Sequence, residues 1–208
     1  MKYYYLVLLA LACLACKRKP EVNTALLRNG DIIFQTSTSA QSQAIQLATH
    51  SKYSHCGIVF EDSGKWFVFE AIQPVTTTPL DNWIVRGEKS AYVIKRLKDT
   101  TPLTPEAFKK MKASAQKMTA KDYDLYFEWS NDRIYCSELV WKLYKDGTGL
   151  EVGKLKHLKD FDLSNAAVQQ KMKERYGNTI PLDEAVISPA EIYESELLKT
   201  VIGVNKAP

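Results

Sequence analysis

Apolar positions along this chain follow two periods, and the change falls near its middle. In the first half the runs are short and strand-like. Residues 26–35 read Leu-Leu-Arg-Asn-Gly-Asp-Ile-Ile-Phe-Gln, a turn on Asn29-Gly30 feeding a short apolar strand. Residues 53–60 and 65–72 form two more strands separated by Glu61-Asp62-Ser63-Gly64, so the pair reads as a hairpin. Residues 90–97 make another. Only residues 40–48 depart from this, with Ala44, Ile45, Leu47 and Ala48 at helical spacing.

Beyond residue 100 the helical period takes over. Thr104-Pro105-Glu106 is a helix start, with a cap, a proline at the first position and an acid in the first turn. Phe108, Met111, Ala115 and Met118 then share a face. A second helix is expected over residues 136–146 with Gly147 as its stop, and a third over 164–176 ended by Gly177. A short fourth opens at Ser188-Pro189-Ala190-Glu191, and residues 200–204 suit a last strand. Strands gathered early and helices late predict an α+β fold rather than a parallel α/β sheet.

Composition narrows the class. The chain has 208 residues, 45% hydrophobic and 25% charged, which suits one ordinary domain with its own core. Its net charge of +4 is scattered rather than striped, which argues against nucleic acid as a partner. The first residues stand apart. Lys2 precedes an apolar run from Tyr3 to Ala15, too short to span a bilayer, and Lys17-Arg18-Lys19 follows it. Residues 1–16 therefore read as a signal peptide with a lipobox-like end, Cys13-Leu14-Ala15-Cys16. Cys16 is the expected lipidation site and Cys13 the alternative. Residues 17–25 read as a tether and 26–208 as the folded domain. The protein is then expected outside the cytoplasm, held to a bacterial membrane by its N-terminal lipid.

Candidate chemistry centres on Cys136. Glu138 follows it by two residues, and Lys142 and Lys145 come a turn or two later, so the charges complement a helix dipole starting near Cys136. At a helix N-terminus the free N–H groups favour a thiolate and can serve an oxyanion. Ser130, Asn131 or Asp132 could cap the helix earlier and leave Cys136 in its second turn. Of three histidines, His55 lies in an alternating strand whose one face carries Tyr53, His55, Gly57 and Val59. Cys56 falls on the other face, expected in the core and away from the thiol chemistry. His50 and His157 lie in polar loops and are expected to be solvated.

Glu70 ends the apolar partner strand, where an unpartnered carboxylate would be costly. A hairpin loop of two or four residues sets Glu70 on the His55 face, directly across from it, as the third member of a Cys–His–acid triad. A three-residue loop turns Glu70 towards Cys56 instead. Tyr53 and Tyr135 are further candidates for substrate or oxyanion contact. These residues lack the short-range ligand pair of a zinc site, so neither metal nor cofactor is assigned.

Four segments in order, Leu27-Arg28-Asn29-Gly30-Asp31-Ile32-Ile33-Phe34, Tyr53-Ser54-His55-Cys56-Gly57-Ile58-Val59, Phe69-Glu70-Ala71 and Tyr135-Cys136-Ser137-Glu138-Leu139-Val140, resemble the YiiX/YebB-like family of permuted papain-like amidases, a branch of the NlpC-like superfamily. The resemblance implies a circularly permuted papain-like fold, an antiparallel sheet or barrel packed on the Cys-bearing helix, with the His strand preceding that helix. It also implies Cys136 as nucleophile, His55 as base and Glu70 as third polar residue. The implied substrate is an amide, in a small peptide, a peptidoglycan fragment or an acylated lipid-like molecule. Acyl transfer by the same thioester chemistry, and a non-catalytic binding module on the same fold, are the alternatives.

Overall fold

The computed structural model describes residues 22–204. The expected signal peptide, both lipidation candidates Cys13 and Cys16, and the first part of the tether lie outside the described residues. Among those residues no helix is long and apolar enough to cross a membrane.

The architecture is α+β and antiparallel. Strands β1 (Ile32–Gln35), β2 (His55–Asp62), β3 (Lys65–Glu70), β4 (Thr76–Pro79), β5 (Tyr92–Leu97) and β8 (Leu198–Val204) form one sheet in the order β4-β3-β2-β1-β5-β8. Every neighbouring pair in it runs antiparallel. The short strands β6 (Lys156–His157) and β7 (Ala185–Val186) pair separately.

Alternation along each strand divides the core in two. Ile32, Phe34, Cys56, Ile58, Phe69 and Val93 face the larger core, whereas Ile33, Val59, Val68, Tyr92 and Ile94 face the smaller. The period of two in the sequence is thus spent on two buried faces, as expected for a sheet covered on both sides.

Helices cover the two faces unequally. The smaller core is closed by α2 (Leu80–Arg86), which places Leu80, Trp83 and Ile84 on it. The sequence carries no clear signal for this helix. Seven residues are too few for a helical period to stand out. The larger core receives α4 (Cys136–Thr148) through Leu139, Val140, Leu143 and Tyr144. Burying such a side chain contributes roughly 1.5–3 kcal/mol, so this face fixes where the helix begins. Helix α3 (Pro105–Met118), capped by Thr104 as its sequence predicted, packs beside α4.

Gly147 is not the helix stop expected of it. It lies inside α4, where a Cβ would fall within the shell of Met111 and 3.1 Å from the Ala107 carbonyl of α3. The stop is Gly149, at φ 78°. Around the other end of α4 stand α1 (Ala40–Thr49), α5 (Ala166–Tyr176) and α6 (Pro189–Tyr193), with α1 packed on α5.

Candidate active site

The hairpin loop decides where the acid goes. Asp62 pairs with Lys65, leaving a two-residue loop with Ser63 at φ 52° and Gly64 at φ 78°. Two successive left-handed residues give the turn whose twist matches a hairpin. This parity puts Glu70 on the His55 face. The register differs from direct opposition, however. The pairing Ile58↔Phe69, carried one residue further, sets Glu70 across from Gly57, so His55 is its diagonal neighbour. Glycine is required between them, because a Cβ at Gly57 would come within 2.5 Å of Val68 Cγ1 and 2.8 Å of the Phe69 carbonyl.

Glu70 is fully buried and fully engaged. His55 Nε2 lies 2.6 Å from Glu70 Oε2, and Trp83 Nε1 donates to the same oxygen at 2.9 Å. Arg86 donates to it as well, and Thr78 Oγ1 donates to Oε1 at 2.6 Å. Trp83 also stacks on the His55 ring, 5.8 Å between centroids at 23°. Burial alone would raise the Glu70 pKa. The His55 bond and charge, then Arg86, outweigh it and hold Glu70 at about 2. Sequence reading missed Trp83, Arg86 and Thr78. All three become visible only as partners of Glu70.

Cys136 is the first residue of α4, with Tyr135 as the N-cap in extended conformation, rather than lying in the second turn of a helix capped at residues 130–132. Glu138 accepts from the Tyr135 N–H at 3.3 Å and pairs with Lys142 at 2.6 Å. The thiol is buried beside His55, and the interaction between them raises the imidazole and lowers the thiol. Because Nε2 of that ring serves Glu70, Nδ1 is left for the sulfur.

Cys56 corrects the sequence reading. It does face the core, but α4 packs on that face and brings the Cys136 thiol beside the Cys56 thiol. Both thiols are free. Burial, with Cys136 beside it, raises Cys56 well above the usual thiol range. The Cys56 bond, then the bond and charge of His55, overcome burial and hold Cys136 well below that range. Burial would lower His55, but its bonds to Cys136 and Glu70 raise it to about 9. These opposite shifts favour a thiolate beside an imidazolium.

A cleft with a free volume of about 80 Å³ opens beside Cys136 and Ser137. Its walls are apolar, from α1 (Ala44, Ile45, Ala48), α5 (Val168, Met172) and the segments bearing Phe127, Leu158, Phe161 and Ile187. Gln41 of α1 is a polar group in this wall, and its amide donates to the Tyr123 hydroxyl at 3.0 Å. Burial first, and then the charge on Cys136, keep Tyr123 protonated.

The other candidates separate. Tyr135 lines the cleft, but its hydroxyl is taken by the Ile187 N–H at 3.1 Å. Tyr53 does not share a face with His55. It precedes the strand and packs in the larger core, its ring 4.4 Å from that of Tyr193. His50 and His157 are exposed at the surface, His50 beside Asp162 at 3.1 Å.

Comparison with known proteins shows the family and the fold. A family model described as "Permuted papain-like amidase enzyme, YaeF/YiiX, C92 family" matches residues 26–202. The uncharacterized protein YiiX of Escherichia coli strain K12 is 49% identical over 174 residues, which cover 84% of this chain and 85% of the relative. A crystal structure described as that of the metalloprotein yiiX from Escherichia coli O157:H7 superposes with a TM-score of 0.81 at 50% identity, covering 85% of this chain and 97% of that one.

Proposed function

The chain belongs to the permuted papain-like amidase family, and on that premise we propose that it is a cysteine hydrolase that cleaves an amide bond through a thioester acyl-enzyme. One observation carries the reading: His55 is held between a buried carboxylate and the thiol of Cys136, at the first residue of a helix, beside a cleft. The Cys136 thiolate attacks the carbonyl carbon. The Cys136 N–H, at the helix start, serves the developing oxyanion. The His55 imidazolium gives its Nδ1 proton to the departing amine, leaving a thioester. Neutral His55 then takes a proton from water, the hydroxide displaces the thiolate, and the acid leaves. Glu70 keeps the ring oriented and its charged form favoured, while Trp83, Arg86 and Thr78 hold Glu70.

The apolar cleft favours an acyl-type substrate over a polar peptide strand, because a polar backbone laid along those walls would lose its hydrogen bonds to water. The related crystal structure is described as a metalloprotein. The described residues here do not fit a metal: they contain no group of three or more His, Cys, Asp or Glu able to hold one. No step is routed through an ion. The reading includes a membrane tether at Cys16. Incorporation of an alkyne fatty acid in a bacterial host, lost in Cys16→Ala and kept in Cys13→Ala, tests that part.

The chemistry is tested with a panel of fluorogenic N-acyl amides of increasing chain length. Hydrolysis is expected from the wild type, with a covalent acyl adduct on Cys136 in quenched samples, and at least about 1000-fold less from Cys136→Ala, as for loss of a nucleophile. If Cys136 alkylates no faster at pH 6 than a free thiol, the proposal fails.

A further inference from the structure

The cleft beside Cys136 is apolar along most of its wall, yet it is not electrically neutral. None of its lining residues is an Asp or Glu, whereas two are cations, Lys171 and Arg175, one helical turn apart on α5. Lys171 is engaged by Glu174. Arg175 is in a different position. Among the described residues it makes no ion pair and no hydrogen bond, and its guanidinium lies over the Phe127 ring, 4.7 Å from the centroid.

The carboxylates within electrostatic reach of Arg175 are already committed. Asp124 accepts the N–H groups of Tyr126 at 2.8 Å and Glu128 at 2.7 Å, and Glu174 is taken by Lys171 and by Gln170 at 3.1 Å. Arg175 is also partly buried, and burial works against its charge. The C-terminal dipole of α5 steadies a cation there. It does not pair the five N–H donors of a guanidinium, which stay open to water or to a ligand. Arg175 and Cys136 line the same cleft.

We propose that Arg175 is the subsite for an oxyanion of the substrate, so that the natural substrate is an acyl amide bearing a carboxylate or phosphate beside an apolar chain. The apolar walls take the chain, and the planar guanidinium takes the oxyanion through paired N–H donors, which a lysine cannot reproduce. The proposal rests on reading Cys136 as an amide-cleaving nucleophile in this cleft.

Its test reads binding on protein that lacks the Cys136 thiol. Affinities of Cys136→Ser for N-octanoylglycine, for O-phospho-N-octanoylethanolamine and for the neutral N-octanoylglycinamide are measured by titration calorimetry at one ionic strength. At least one anion is expected to bind about 10-fold tighter than the neutral amide, as for a charge-assisted hydrogen bond. Adding Arg175→Gln is expected to narrow that ratio to below about 2-fold, and Arg175→Lys to keep part of it. Equal binding of all three probes by Cys136→Ser overturns the assignment, as does a ratio that Arg175→Gln leaves unchanged. Should Arg175→Gln not fold, the parent ratio and the Arg175→Lys ratio decide. A failure of the hydrolase reading would appear separately, as wild-type protein that binds the anions and cleaves none of the acyl amides.

Discussion

Replacing Glu70 with Gln removes a charge while keeping the shape of the side chain. If the amide oxygen takes the place of Oε2, it keeps the donors His55, Trp83 and Arg86, and the amide nitrogen meets Thr78, whose hydroxyl can turn to accept. The fold should therefore survive, and what is lost is the field that favours the His55 imidazolium. That field is large. Against burial, Cys136 and Glu70 together raise His55 from 6.5 to about 9. That net rise is worth on the order of 3 kcal/mol. Because burial opposes it, the two anions supply more than the net. Removing one of them is expected to lower His55 by about 1–2 units, to between roughly 7 and 8.

The assay is a proton NMR titration of labelled histidine, run beside iodoacetamide alkylation across pH. The His55 midpoint should fall by that amount. The acid limb of Cys136 alkylation should move up, since a weaker imidazolium supports the thiolate less. An unchanged His55 midpoint in a folded Glu70→Gln protein would refute the reasoning and leave Glu70 a structural residue.

Cys56→Ala removes the thiol bond to Cys136 that contributes most to lowering its pKa, so alkylation of Cys136 at pH 5 is expected to slow, with little change at pH 9. Glu138 is raised from 4.5 to about 7, chiefly by burial, so the native state holds a proton there that the unfolded chain has released between those values. Stability should fall as pH rises through that window and stay lower above it. Glu138→Gln, in which Lys142 keeps Ser130 and Asn131 as acceptors, should flatten the slope and add about 1–2 kcal/mol at pH 8 in urea denaturation. Gly147→Ala should cost about 1–3 kcal/mol by pushing a methyl group into Met111 and the α3 backbone, read as a lower Tm.

Much of the frame was legible along the chain because periodicity is a local property. A period of two follows from the pleat of a strand and a period of 3.6 from the helix, and each needs only near neighbours to show. Strands β1, β2, β3 and β5 and helices α1, α3, α4 and α5 were found this way, with ends off by a few residues. The start of α4 was legible in its charges, which placed Cys136 near the helix N-terminus. The hairpin was legible to within its loop length. Ser63 accepting a left-handed conformation then selected the parity that brings Glu70 to the His55 face.

Other features had no local signature. Alternation sent Cys56 into the core, but it does not say which helix packs on that core, so the thiol contact with Cys136 was invisible. Arg86 and Trp83 looked like loop residues because their importance lies in a carboxylate 13 to 16 positions away. The cleft is assembled from α1, α5 and the segments around Phe127 and Ile187, and so the isolation of Arg175 within it could not be read from α5 alone. The kinds of elements and the residues able to do chemistry follow from backbone geometry and side-chain type, which are local. Which of those residues meet follows from burial and partnership, set by faces packed together from distant parts of the chain.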